Sequence, residues 1–345
     1  MDRSPREPGR QLARTPLAPV TVLELVALHV LDADLAALLW ILLDAHLPLL
    51  VAFPTELQAP PEAPRAILAA LLDLLPPDVR RLDLDGAEET FDWLGDAAAL
   101  GWEPAREAAD QPPGSQAGSD GAAGAARLAL PPRRWAPPEM TYLVAGEIGA
   151  GPPADMWGSR ARVLVRSLQR GYGLGATVRA DSLRQALVSL AAPPASVAVD
   201  ELRRLGVVLV VREMDPGSDS GAGAPFAGGP LAGGLPERLA GLARWRVAGA
   251  HFLRPLERDA SGHLQRRPPA VLATWHGRRD AFEHDAADLS AEMALRTGMA
   301  VESFEFEQSS RSRRIAALTA SGLVSVEALQ GMLLRGPQPG PGRAG

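Results

Sequence analysis

The residues from Leu49 to Pro77, LLVAFPTELQAPPEAPRAILAALLDLLPP, read as a buried strand, a loop and an apolar helix that stops at a double proline. Chains that cradle a phosphate use this order of elements. Glycines let backbone N–H groups converge on the anion, a lysine reaches the outer phosphates, and a Ser or Thr hydroxyl ligates magnesium. The loop FPTELQAPPEAPRA holds neither glycine nor lysine. Pro54, Pro60, Pro61 and Pro64 lack an N–H and fix φ near about −65°. Glu56 and Glu62 bring negative charge to where a phosphate would lie, and Arg65 is the local cation.

Other chemistries are excluded by what the chain lacks. Its 345 residues include 35 Arg and no Lys, so there is no Schiff-base or phosphate-binding lysine, and Arg carries charge with a different geometry. With no Cys there is no thiol nucleophile, disulfide or Cys-based metal site, which suits a reducing compartment. His251, His263, His276 and His284 show no metal-ligand spacing. No G-x-S-x-G elbow occurs, and GYGLGA (171–176) precedes a strand, the wrong context for a dinucleotide loop. Trp245, Trp275 and Phe282 fall at strand spacing and read as core.

A formal net charge of −6 and a pI near 5.6 argue against a wide nucleic-acid surface, although Arg311, Arg313 and Arg314 cluster. Leu35 to Phe53 has about the length of a bilayer span. Asp44, His46 and Pro48 interrupt it, so the reading is a helix over about 32–45, a short strand at 48–53 and no transmembrane segment.

The elements that must position the loop alternate between strand and helix. Strands are expected at 48–53, 80–86, 141–148, 173–180 and 206–213, with helices at 65–75, 156–170, 182–190 and near 199–204. This alternation predicts a mostly parallel sheet flanked by helices. RWRVAGAHFLRPL, SGHLQRR, AVLATWH and DAFEH predict antiparallel strands with turns at DASG and HGRRD. The expected organisation is a disordered tail at 1–20 and a core at 21–213 with an insertion at 103–126. A Gly/Pro-rich linker at 214–234, antiparallel strands completing the core at 235–285, a helical region at 286–336 and a tail at 337–345 follow.

From Gly146 to Leu190 the sequence resembles the type II/IV secretion and pilus ATPases, a P-loop NTPase family. The residues that carry the resemblance are a strand ending in Gly146-Glu147, then a helix, then SLQRGYGLGATVRADSLRQALVSL. In that family a strand ending in Gly-Glu supplies the Walker B glutamate, and a T-x-H-A-N/D-S box follows a Gly-containing turn; here the box is Thr177, Val178, Arg179, Ala180, Asp181, Ser182. LAALLDLLPP (68–77) resembles the helix after the family's phosphate loop, and RRLDLDGAEE (80–89) its next strand with an acidic box, placing Asp85 and Glu88 at acidic positions. The resemblance spans roughly residues 20–256. The family's separate N-terminal domain is missing from it, one helix preceding the first core strand.

The resemblance implies a RecA-like core with antiparallel strands and C-terminal helices appended. It implies Glu147 as the carboxylate that polarises water, and a degenerate nucleotide site of Arg65, Asp85, Glu88, Thr177, Arg179 and Asp181. ATP and magnesium are the cofactors it implies. Partners would be secretion or pilus assembly components, in a homo- or hetero-oligomeric ring at the cytoplasmic face of a membrane. Arg179 stands where the family has histidine and cannot relay a proton, leaving it a phosphate contact or a salt bridge to Asp181 or Glu147. Three functional readings follow. They are a scaffold or regulatory subunit with a decayed site, an active ATPase in which Arg65 replaces lysine, and a protein-interaction module on an inactive core.

Overall fold

The computed structural model describes residues 19–56, 62–103, 137–149, 154–214, 236–259, 261–284 and 289–334. The expected tails, the insertion at 103–126 and the linker at 214–234 lie outside these residues, apart from residues 19, 20, 103 and 214. Pro60 and Pro61 lie outside them too. Strands are β1 Leu49–Phe53, β2 Arg80–Asp83, β3 Thr141–Ile148, β4 Gly173–Arg179, β5 Val207–Glu213, β6 Trp245–Phe252, β7 Glu257–Arg258, β8 Leu264–Gln265, β9 Ala270–His276 and β10 Ala281–Glu283. Helices are α1 Val22–Ala27, α2 Ala33–Asp44, α3 Glu62–Leu72, α4 Gly158–Ser167, α5 Leu183–Ala191, α6 Val199–Leu202, α7 Glu237–Ala240, α8 Ser290–Thr297, α9 Val301–Ala320 and α10 Val326–Leu334.

Eight strands form one sheet in the order β10-β9-β6-β5-β1-β4-β3-β2. The five from β5 to β2 pair in parallel, and β6, β9 and β10 extend the sheet antiparallel beyond β5. The fold is therefore α/β, a mostly parallel mixed sheet flanked by helices. Parallel strands joined through helices bury both faces, which the uninterrupted apolar runs LLVAF and VVLVV satisfy. Every residue of β1 is buried. Strand alternation sends Leu49, Val51 and Phe53 into one core with α1, α2, α3 and α8 to α10. Leu50 and Ala52 enter the other with α4, α5 and α6.

Two helices, rather than the expected one, precede β1. A capping box starts α1: Thr21 Oγ1 accepts from Glu24 N (3.1 Å) and Glu24 Oε2 from Thr21 N (2.9 Å). Asp32 starts α2 by accepting from Leu35 N (2.9 Å). Between them His29 adopts φ +59 and breaks the run. The long apolar stretch 35–53 divides into α2 and β1 where His46 takes φ +63, and no described helix is long and apolar enough to cross a membrane. The helix expected at 65–75 begins at Glu62, because Pro64 falls in the first turn, where its missing N–H costs nothing.

The connections locate a crevice at one end of the sheet. β1 passes through α3 to β2 on one side, whereas β4 passes through α5 and α6 to β5 on the other. The helices of these two crossovers lie on opposite faces. The reversal leaves a crevice at the carboxyl ends of β1, β3 and β4, the position at which open α/β sheets bind ligands.

Candidate functional site

A β-bulge sets the direction of Glu147. Val144 pairs with Gly175 but Glu147 pairs with Thr177, so three steps on β3 face two on β4. Leu143 and Ala145 point into the core of α4 and α5, and after the extra residue it is Ile148 that does so. Glu147 is thereby turned to the opposite face, beside Thr177 and Arg179. Without the bulge its carboxylate would enter an aliphatic core.

Glu147 and Arg179 form a two-pronged ion pair. Arg179 Nε donates to Glu147 Oε1 (3.1 Å) and Nη2 to Oε2 (3.1 Å). The two side chains are 3% and 17% exposed. The guanidinium also lies over the Phe53 ring at 5.1 Å, so the last residue of β1 roofs the pair. Thr177 Oγ1 donates to Gly146 O (3.2 Å), holding the bulge.

A second pair fills the space beside the bulge. Arg65 Nη2, on α3, donates to Asp155 Oδ2 at 2.8 Å, and that oxygen also accepts from Glu147 N at 3.1 Å. A Cβ on Gly146 would sit 2.1 Å from the same oxygen, so only glycine leaves room for it. The Asp155 carboxylate thus holds the backbone N–H and the arginine that face the crevice. Around it lies a cleft of about 310 Å³, lined among others by Arg65, Leu68, Asp83, Leu84, Asp155 and Thr177.

Asp181 does something else. Thr55 donates to it through N (3.2 Å) and Oγ1 (2.7 Å), stapling the start of the loop after β1 to the end of β4. Arg212, at the end of β5, donates to Asp181 O (3.3 Å). Of the residues expected to form the site, Arg65, Glu147, Thr177, Arg179 and Asp181 therefore meet at the crevice. Asp85 and Glu88 lie exposed on the turn after β2. Gly86 of that turn abuts Asp155, since a Cβ added to this glycine would lie 3.4 Å from Asp155 Cβ. The buried acid there is their neighbour Glu89, which accepts from Asp85 N (3.0 Å), Phe91 N (2.8 Å) and Trp93 Nε1 (3.2 Å).

Asp155, Thr55 and Arg212 are not among the residues expected from the sequence, and neither is the bulge. The bulge had a signal, because a glycine inside a strand marks a bulge or a close approach. Asp155 had none, lying in irregular chain eight residues beyond Glu147.

Away from the crevice, ligand atoms of Asp32, Asp34 and His284 lie within 4.8 Å of one another. They are already engaged. Asp32 caps α2 and accepts from His284 Nε2 (2.7 Å), and Asp34 accepts from Ser312. The hydrogen bond to Asp32 raises the His284 pKa above its ordinary 6.5, against the opposing effect of burial.

No protein-family model matches this chain, and no curated protein matches it.

Proposed function

We propose that this chain is a RecA-like homologue of the secretion and pilus ATPases in whose nucleotide crevice Arg65, Glu147 and Arg179 are held by ion pairs within the chain. It serves as a non-catalytic scaffold or regulatory subunit among secretion or pilus assembly components, in a homo- or hetero-oligomeric ring at the cytoplasmic face of a membrane. Three features favour this lineage. Thr55 at the start of the loop after β1, the Gly-Glu end of β3 and the T-x-x-A-D-S end of β4 come together at one crevice, which fits the resemblance.

The observation that carries the loss of catalysis is the Glu147–Arg179 pair. Both carboxylate oxygens are held by a guanidinium under Phe53, leaving the carboxylate poorly placed to orient a water. Magnesium-ATP does not fit the donor set of the described residues either. Arg65 is held by Asp155, Pro54 and Pro64 offer no N–H, and the crevice-facing N–H of Glu147 is taken by a carboxylate. A charge-assisted hydrogen bond to phosphate is worth about 1.5–3 kcal/mol, and with several of them missing little affinity for nucleotide is left.

Phosphate release from magnesium-ATP, compared between the wild type and Glu147→Gln, tests the proposal. Both proteins are expected to give the same background. Steady, magnesium-dependent turnover in the wild type that falls about a hundredfold or more in Glu147→Gln, the scale of a lost general base, would establish the active ATPase instead.

A further inference from the structure

On the face opposite α3 the structure leaves an apolar groove between α5 and α6. Its walls include Leu187, Val188 and Ala191 of α5, Val199 and Leu202 of α6, and Leu253 just after β6; its volume is about 470 Å³. Val188 and Val199 are 58% and 65% exposed. Neither side chain is needed for the core beneath, which Ala186, Leu190 and Leu202 fill. Ser182 caps α5 by accepting from Gln185 N (3.2 Å), so the groove wall is a formed helix with its first turn satisfied.

The charged residues that line the groove, Arg184 and Arg203, are both arginines. Arg184 is exposed and has no hydrogen-bond or ion-pair partner among the described residues. Arg203 donates to two carbonyls, Arg254 O (3.1 Å) and Arg267 O (2.9 Å), and its charge also acts on the neighbouring Asp200 carboxylate. The nearby acids are already spent: Asp200 on Arg266 (2.9 Å) and Glu201 on Arg166 (2.9 Å). On a chain of net charge −6 this is a local reversal of sign.

We infer that this groove docks an amphipathic helix of a partner protein, one with aliphatic residues on its buried face and carboxylates beside them. The aliphatic lining selects an apolar face, and the arginines select its acidic flank. The groove has helical walls whose backbone groups are bonded internally, so strand addition is unavailable, and an apolar trough between two helices suits a helix lying in it. A concave surface walled by valine and leucine also fits a rod better than the plane of a bilayer, where Trp or Phe would be expected. Docking here does not depend on the state of the crevice.

The test uses the full chain and a fluorescent synthetic peptide of about four helical turns, with Leu at i, i+3, i+4 and i+7 and Glu on the flanks. A matched peptide carrying Lys in place of Glu is the control. The acidic peptide is expected to bind saturably and at least about tenfold more tightly than the basic one at low salt. Val188→Glu should abolish binding and Arg184→Glu should weaken it about tenfold, with circular dichroism confirming that both variants stay folded. Glu147→Gln should bind as the wild type does, which separates this result from the fate of the nucleotide reading. The inference is overturned if the two peptides bind equally, or if Val188→Glu binds as the wild type does. Binding of anionic vesicles lost in Val188→Glu, or wild-type self-association lost in the same variant, would also overturn it, assigning the groove to lipid or to a second copy.

Discussion

Two arginine–carboxylate pairs are drawn out of water at opposite ends of the sheet, and their surroundings differ. In the antiparallel end, Arg246 donates from Nε to Asp280 Oδ1 (3.0 Å) and from Nη2 to Oδ2 (3.2 Å), and Nη1 reaches the carbonyls of Ala243 and Trp245 (2.9 Å each). Trp275 Nε1 completes the acid at 2.8 Å. The arginine is 1% exposed, and the turn it holds brings Asp280 to φ +44. In the parallel end, Arg179 and Glu147 make the same two-pronged contact at the mouth of a crevice, under a phenylalanine, where the topology would seat a ligand. The first pair fixes a turn. The second lies at the carboxyl ends of parallel strands, where open α/β sheets place ligands, so identical contact chemistry sits in different surroundings according to where the sheet places it.

The largest expected effect breaks the structural pair. Arg246→Ala strands Asp280 beside an emptied buried site and should cost about 3–5 kcal/mol in urea unfolding. The acid side of the profile should show the same pair. Burial pushes the Asp280 carboxyl up, but the hydrogen bonds from Arg246 and Trp275 and the guanidinium charge outweigh it and hold its pKa below the ordinary 3.8. Its contribution is full above that value and lost as pH falls through the lowered one. A loss under about 1 kcal/mol in Arg246→Ala would erase the contrast, being the size of an exposed pair.

Gly146→Ala comes next. The added methyl collides with Asp155 Oδ2, so the variant should lose about 1–3 kcal/mol. In an Asp155→Ala background the same change should cost much less. Equal costs in both backgrounds would mean that Asp155 does not fill the crevice. A double-mutant cycle of Glu147→Gln and Arg179→Gln should then give a coupling of about 1–2 kcal/mol, and a cycle that closes to zero would show the pair to be inert.

The smallest effect is at His284, whose pair with Asp32 is partly exposed. Its folded pKa lies above the ordinary 6.5, so the stability it adds is full below that value and fades as pH rises through the raised one. The difference in urea midpoint between wild type and His284→Gln should shrink from about pH 5 to pH 9. A difference that grows with pH would contradict the pairing.

Much of this framework can be read from periodicity. TYLVAGEI and AVLATWH mark β3 and β9 at their observed bounds, and DADLAALLWILLDA marks α2 because its cap and its apolar run coincide. The order of strands across the sheet cannot be read that way, since β1 lies between β4 and β5, which come much later in the chain. At the site, the sequence shows which residues end β3 and β4 and that the loop after β1 lacks the glycines and lysine of a phosphate loop. What it hides is Asp155, whose position depends on how the chain packs it against Gly146, and the bulge, which turns Glu147 away from the core of α4 and α5 and Ile148 into it. The groove is hidden for a different reason. Val188 and Val199 look like ordinary helix residues until packing shows that nothing described covers them.

The central claim is that the crevice is satisfied from within, and titration calorimetry of magnesium-ATP into the purified chain tests it most directly. No saturable heat is expected at nucleotide concentrations well above the micromolar range, in the wild type and in Glu147→Gln alike. Saturable, magnesium-dependent binding in the low micromolar range that disappears in Arg65→Ala would contradict the claim.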